Sequence, residues 1–315
     1  MLVQYDRALS VLEIVAEARE RADPCQKEVH PLGTPPSNAS NHRRFDLCEV
    51  EVYRSEEEAS RAVLREVLVA SKHAMKERGR FVLVIPGGRT FLPVSRLLAE
   101  EFTAAPLGGW QIFLTDEHMA RAEEGMFPNA RAALQDGGWQ DLISQGRLGP
   151  SQFHTMSLEV RPAHAPSLRA LRSLANRYEA EYKAALRGQP GADLLIAGIG
   201  KDAHTASILP QQTSWRNPLH FARRHFAEVR YPETYSLASP ERVSITLRGL
   251  QTAGRVILFC LGSDKASAVR RALLELVDAA AVPSTFARTR PTRFICDAPS
   301  ADGIREPGQP GLERS

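Results

Sequence analysis

An aspartate and a histidine two residues apart, in a loop opened by glycines, can aim both side chains at one pocket. The segment Gly198-Ile199-Gly200-Lys201-Asp202-Ala203-His204-Thr205-Ala206-Ser207 has this form. Asp202 can orient an imidazole and stabilise its protonated form, while His204 acts as a general base. The plain alternative is a surface histidine beside a capping aspartate. A metal is another use of Asp-x-His, but no third ligand stands at a fitting spacing. Two further segments carry reactive residue types. In Pro86-Gly87-Gly88-Arg89-Thr90, two glycines let backbone approach a ligand and Arg89 offers a fork suited to phosphate. Thr90 there is either an N-cap or a phosphate ligand. Thr115-Asp116-Glu117-His118 is either a base with its neighbour or a solvated acidic turn.

Each segment follows a short apolar run. Phe81-Val82-Leu83-Val84-Ile85 is continuous, as in a strand covered on both faces. Strands are likewise expected at Gln111–Thr115, Asp193–Ala197, around Glu228 to Arg230, and at Val243–Leu247, Val256–Leu261 and Arg293–Cys296. Ser55 with Glu58 forms a capping-box pattern ahead of a helix with Ala59, Val63, Val67 and Ala70 on one face. Pro93 fixes the start of a helix over Thr90–Glu100. Other helices are expected at Asn129–Leu134, Ser173–Leu186 and Ser263–Leu276. The alternation predicts an α/β fold with a doubly wound, mostly parallel sheet and helices on both faces. Ligands then bind at the carboxyl rim, where the three segments fall.

Tyr5, Leu9, Leu12 and Val15 stand at helical spacing in residues 1–24, and residues 30–44 read as a polar linker. The expected organisation is an N-terminal appendage and linker over 1–45, a catalytic domain over 46–300 and a flexible tail over 301–315.

The 315 residues hold 34 arginines against six lysines, yet the net charge is only +3. No basic cluster exceeds three residues, as in Arg223-Arg224-His225, which is too short to track a phosphate backbone, so nucleic acid is not an expected partner. No apolar stretch approaches the roughly 18–20 residues of a membrane span. Asp6, Glu13 and Glu17 interrupt the apolar residues of the N-terminus, unlike a signal peptide or presequence. Cys25, Cys48, Cys260 and Cys296 are scattered, which predicts free thiols, buried in the last two cases, and a cytoplasmic location.

In their order along residues 48–298, these motifs resemble the 6-phosphogluconolactonase family, which shares its fold with glucosamine-6-phosphate deaminases. A Gly-Gly-x-Thr loop is matched by Gly87, Gly88 and Thr90, and a Thr-Asp-Glu-Arg segment by Thr115, Asp116 and Glu117. A Ser-Asn pair is matched only at Asn129. The signature Gly-x-Gly-x-Asp-Gly-His-Thr-Ala-Ser is matched by Gly198, Gly200, Asp202, His204, Thr205, Ala206 and Ser207. Arg242 precedes an Ile-Thr-Leu run, and Gly262 and Lys265 match a Gly-x-x-Lys.

The resemblance implies hydrolysis of 6-phosphoglucono-δ-lactone to 6-phosphogluconate, without metal or organic cofactor, by a monomer or weak homodimer. It implies a catalytic set of His204, Asp202 and Asp116. Substrate and phosphate would be held by Gly87, Gly88, Arg89, Thr90, His118, Asn129, Lys201, Arg242 and Lys265. Backbone N–H groups near residues 200–204 are the expected oxyanion donors. Ala203 stands where the family has glycine; at a positive φ it would cost about 1 kcal/mol. His118 stands where the family has an arginine, Phe91 where it has proline, and Pro128 where it has serine. Two other readings use the same residues: a deaminase in which Asp116 shuttles a proton, and a phosphosugar-binding module without catalysis.

Overall fold

The computed structural model describes residues 41–45, 47–102, 107–119, 128–156, 166–210, 217–237 and 239–304. The helix expected over 1–24, Cys25, the linker as far as residue 40 and the tail from residue 305 lie outside the described residues. The chain divides into Met1–Ser37 and Asn38–Ser315, and every described residue belongs to the second unit.

Asn41–Phe45, expected as the end of the linker, instead form strand β1. The last proline of that region is Pro36, so nothing in the strand itself blocks backbone pairing. β1 runs antiparallel to β2 (Cys48–Tyr53). The other strands are β3 (Phe81–Ile85), β4 (Trp110–Leu114), β5 (Asp116–His118), β6 (Phe153–His154), β7 (Leu194–Gly198), β8 (Phe226–Arg230), β9 (Glu241–Ile245), β10 (Arg255–Cys260) and β11 (Thr292–Asp297). Eight of them form one sheet in the order β1-β2-β11-β10-β7-β3-β4-β6, parallel throughout except for β1.

Residues of the central strands alternate between two cores. Val82, Val84, Leu195 and Leu258 face one core with the Leu168–Leu186 and Ala266–Leu274 helices. Phe81, Leu83, Ile85, Ile196 and Ile257 face the other with the Glu56–Arg78 and Leu92–Glu101 helices. Both faces are therefore dry, as the continuous apolar runs require. Ser55 caps the first helix by accepting from Glu58 N at 3.2 Å, and Gly79 closes it at φ 61°.

The expected alternation fails in one place. β5, β9 and β8 form a separate antiparallel sheet. Thr115 is the pivot: its N–H donates to Ile85 O in the large sheet (2.8 Å), and its carbonyl accepts from Ile245 N in the small one (2.7 Å). Asp116–His118, expected as a loop, is thus a strand; three polar residues carry no periodicity from which to read one. The Leu168–Leu186 helix begins five residues before the expected Ser173, where Ser167 Oγ caps Ala170 N at 3.2 Å. Residues 301–304 are not tail. Ala301 and Ile304 are buried, and a Cβ on Gly303 would overlap the Ala266 carbonyl. Cys48, Cys260 and Cys296 are buried thiols, and Cys48 Sγ donates to Ala287 O at 3.4 Å. Among the described residues, no helix is long and apolar enough to cross a membrane.

Candidate active site

The chain runs from β3 outward to β4 and β6, then returns to β7 on the other side of β3. The β3–β7 register stops at Val84 opposite Leu195, whereas β3 stays paired with β4 to its last residue, Ile85. The loops after β3 and β7 thus stand at the switch point of the strand order, where open α/β sheets take ligands.

The loop after β7 is locked on itself. Gly200 N donates to His204 O (2.8 Å) and Ala203 N to Gly200 O (2.9 Å). Asp202 Oδ1 lies 2.5 Å from His204 Nδ1 and also accepts the His204 N–H at 3.2 Å. The imidazole lies against Gly200 so closely that a Cβ there would overlap the ring. Ala203 sits at φ 68°, the left-handed region anticipated for it, with its methyl buried. Burial pushes the Asp202 carboxyl up, but its side-chain and backbone bonds to His204 outweigh that and leave it below the ordinary range. Arg271, from the Ala266–Leu274 helix, donates to Asp202 O at 3.1 Å. With Nδ1–H held by a carboxylate, His204 presents Nε2 as its free acceptor.

The small sheet supplies a second cluster. Residues 116 and 118 lie on one face of β5, opposite Ser244 and Arg242 of β9. Asp116 is buried, its Oδ1 accepting from Thr115 Oγ1 (2.9 Å) and its Oδ2 from Ser207 Oγ (2.6 Å). Burial raises its pKa, but His118, Ser207 and Arg242 together overcome this and hold it at about 2. A carboxylate so held is a poor proton shuttle. Arg242 donates from Nη1 to Ser207 Oγ (3.3 Å) and from Nε to Ser239 O (3.1 Å). Burial pushes its guanidinium down, against the attraction of Asp116.

Glu117 points the other way, as alternation in β5 demands. It accepts from His118 N (2.9 Å), Asn129 N (3.0 Å) and Ala130 N (2.8 Å), anchoring the short Pro128–Arg131 helix. Burial drives its carboxyl up to about 8 against those three donors. Asn129 Nδ2 donates to Asp116 O at 2.8 Å. Asn129 also packs on Gly87, where a Cβ would overlap it, while a Cβ on Gly88 would meet open space. Gly87 thus serves internal packing, and Gly88 is the position that leaves room for a ligand.

Arg89 and Thr90 are exposed in the 3-10 turn Arg89–Phe91 that opens the Leu92–Glu101 helix. No hydrogen bond joins either side chain to the two clusters among the described residues. Lys201 and Lys265 both approach Asp264, at 3.3 and 3.9 Å; Lys201 is largely exposed and Lys265 mostly buried. The structure therefore gathers Asp202 and His204 in one cluster and Asp116, His118 and Arg242 in another. Ser207 and Asn129 join the second cluster to the loops after β7 and β3. Of the N–H groups expected as oxyanion donors, those of Gly200, Ala203 and His204 are spent within the loop and that of Asp202 is turned to its own carboxylate, leaving Lys201.

Three residues went unassigned in the sequence. Ser207 stands inside the quoted signature and bridges Arg242 to Asp116. Glu117 is signalled only by its place beside Asp116. Tyr231, whose hydroxyl meets Ser207 O and accepts from Asn217 Nδ2 (2.7 Å), has no local signal. Among the described residues, no group of three or more His, Cys, Asp or Glu is placed to hold a metal.

A family model described as glucosamine-6-phosphate isomerases/6-phosphogluconolactonase matches residues 54–295. A 6-phosphogluconolactonase of Streptomyces coelicolor is 26% identical over 267 residues, spanning 82% of this chain and 95% of its own length. One from Thermotoga maritima is 25% identical over 230 residues, spanning 72% and 88%. The solved 6-phosphogluconolactonase of Trypanosoma brucei superposes with a TM-score of 0.66 at 18% identity, over 84% of this chain and 100% of that one, a likeness of fold.

Proposed function

The chain belongs to the glucosamine-6-phosphate isomerase/6-phosphogluconolactonase family, and from that premise we propose that it hydrolyses 6-phosphoglucono-δ-lactone to 6-phosphogluconate, the lactone step of the oxidative pentose phosphate route. The observation that carries this reading is the Asp202–His204 contact of 2.5 Å beside Gly200.

In this reading His204 Nε2 takes a proton from water as the oxygen attacks the lactone carbonyl. The imidazolium, stabilised by Asp202 on Nδ1, then protonates the ring oxygen as the C–O bond breaks. Proton transfer of this kind contributes roughly 10²–10⁴-fold. The Lys201 N–H would face the developing oxyanion. The substrate phosphate would meet Gly88, Arg89, Thr90, His118, Arg242 and Lys265, with Lys201 at the exposed margin. Gly87 and Asn129 shape that wall from behind, and Asp116 holds Ser207 and Arg242 in place. The buried bonds of Asp116 favour the lactonase over a deaminase that would need this carboxylate to carry a proton. The same reading gives a metal-independent cytoplasmic enzyme, a monomer or weak homodimer, with its catalytic domain over 46–300.

The test is lactone opening by purified protein, corrected for spontaneous hydrolysis. His204→Ala should lose most catalysed opening while still binding 6-phosphogluconate. Unchanged turnover in that variant would overturn the assignment of the base.

A further inference from the structure

The large sheet has a second rim, at the amino ends of its parallel strands, away from Asp202 and His204. A cavity of about 350 Å³ opens there. Its charged and polar lining falls into two groups. Arg80, just before β3, lies with Arg187, just after the Leu168–Leu186 helix. Gln111 of β4, His154 of β6 and Glu181 of the helix form the other group.

Arg80 is 8% exposed. Its Nη2 donates to Leu186 O (2.9 Å) and Gln189 Oε1 (2.5 Å), both neutral acceptors. Its Nε is buried with no hydrogen-bond partner among the described residues. Burial and the charges of Arg187 and Arg78 push the guanidinium down, while Asp193 pulls it up. Yet Asp193 is already held by Arg78 (2.5 Å), Gln189 Nε2 (3.0 Å) and Val82 N (2.8 Å). Arg78, Arg80 and Arg187 thus share one carboxylate, which leaves two positive charges in excess. The carboxyl end of the helix offsets only about half a charge. Burying a charge without a counter-ion is costly, so such charges are ordinarily paired.

The second group is rigid and half satisfied. His154 stacks on Phe113 at 4.0 Å and bridges Gln111 Oε1 (2.9 Å from Nε2) and Glu181 Oε2 (3.0 Å from Nδ1). Glu181 therefore directs its charge to His154. One end of the Gln111 amide and one Glu181 oxygen remain for other partners, as a hydroxyl group requires.

We propose that this cavity binds a phosphate monoester of a small polyol. Two guanidiniums without carboxylate partners match a dianion, whereas a single carboxylate would leave one of them unpaired. Their forks suit phosphate oxygens, and the polyol hydroxyls would meet Gln111 and Glu181. The cavity has the size of a small-molecule site.

The test is an NMR titration of the full chain with glycerol 3-phosphate, read at the Gly109 backbone amide and the Gln111 side-chain amide. Gly109 lines the same cavity. Both signals should shift saturably. Arg187→Gly should weaken binding about tenfold, the size of one charge-assisted hydrogen bond. Arg187 sits at φ 49°, which glycine adopts freely, so this variant keeps its fold. Glycerol should move neither signal, and inorganic sulfate should bind more weakly than glycerol 3-phosphate. Unmoved Gly109 and Gln111 signals would overturn the proposal, whatever happens at Gly88 and Gly200 on the other rim. Equal affinity in wild type and Arg187→Gly would overturn it as well. Sulfate bound as tightly as the ester would overturn the polyol assignment.

Discussion

The His204 ring occupies the space that a side chain on Gly200 would fill. His204 and the glycine four residues before it form one packing unit, closed by the Gly200 N to His204 O bond of 2.8 Å. Gly200→Ala should push the ring off Asp202 and misplace Nε2. A displacement near 1 Å costs on the order of 10²-fold in rate. A steady-state lactone assay should show kcat falling by that order, with the thermal melt confirming a folded protein. Retained kcat would mean that the ring's place against Gly200 is immaterial.

Ala203 carries two opposed effects. Its φ of 68° costs about 1 kcal/mol relative to glycine, while its buried methyl contributes about 0.8 kcal/mol. Ala203→Gly should therefore leave the urea midpoint almost unchanged and preserve kcat. Ala203→Val adds a β-branch at a positive φ and should destabilise by more than about 1 kcal/mol. Equal midpoints for the two variants would contradict this account.

Arg89 is exposed and makes no hydrogen bond to the Asp202–His204 pair among the described residues. If it anchors the phosphate, Arg89→Ala should raise KM by about tenfold or more and change kcat little. A loss confined to kcat would instead place Arg89 at the reacting carbon.

Glu179 gives the fold an acid-sensitive tie. It accepts from His225 Nδ1 (3.1 Å), Phe226 N (2.9 Å) and Lys183 Nζ (3.0 Å), joining the Leu168–Leu186 helix to β8. Burial alone would raise its carboxyl, but these partners hold it at about 2. A depressed carboxyl binds fewer protons folded than unfolded, so its stabilisation is complete above the unfolded value. It fades as pH falls from about 4.5 toward 2. The tie is worth on the order of 3 kcal/mol at neutral pH by this linkage. Glu179→Gln should lower stability at pH 7 and flatten its acid slope in urea titrations. A mutant as acid-sensitive as the wild type would rule the tie out.

The site-bearing loops were legible because each follows an apolar run bounded by glycine or proline, and the sheet rim does the rest. Asp202 and His204 were legible as a pair because two residues in a tight loop cannot diverge far. The small sheet was not legible. Asp116–His118 is polar, three residues long, and becomes a strand only because β9, whose Arg242 lies 124 residues beyond His118, pairs with it. Gly87 shows a different limit. Its pairing with Gly88 looks like a ligand loop, yet the reason for it is Asn129, a partner that no local pattern announces. The early start of the Leu168–Leu186 helix was missed because Ser167 precedes residues whose apolar stripe is interrupted by Arg169 and Arg172.

Because β1 runs against β2, the large sheet ends on one side in a hairpin rather than an open parallel edge. On the other side β6 presents only two residues, Phe153–His154. Polymerisation by strand addition feeds on long unpaired edges. The sheet offers five residues at one border and two at the other. Among the described residues, β6 is thus too short an edge to template a further strand, and extension of the large sheet could draw only on β1.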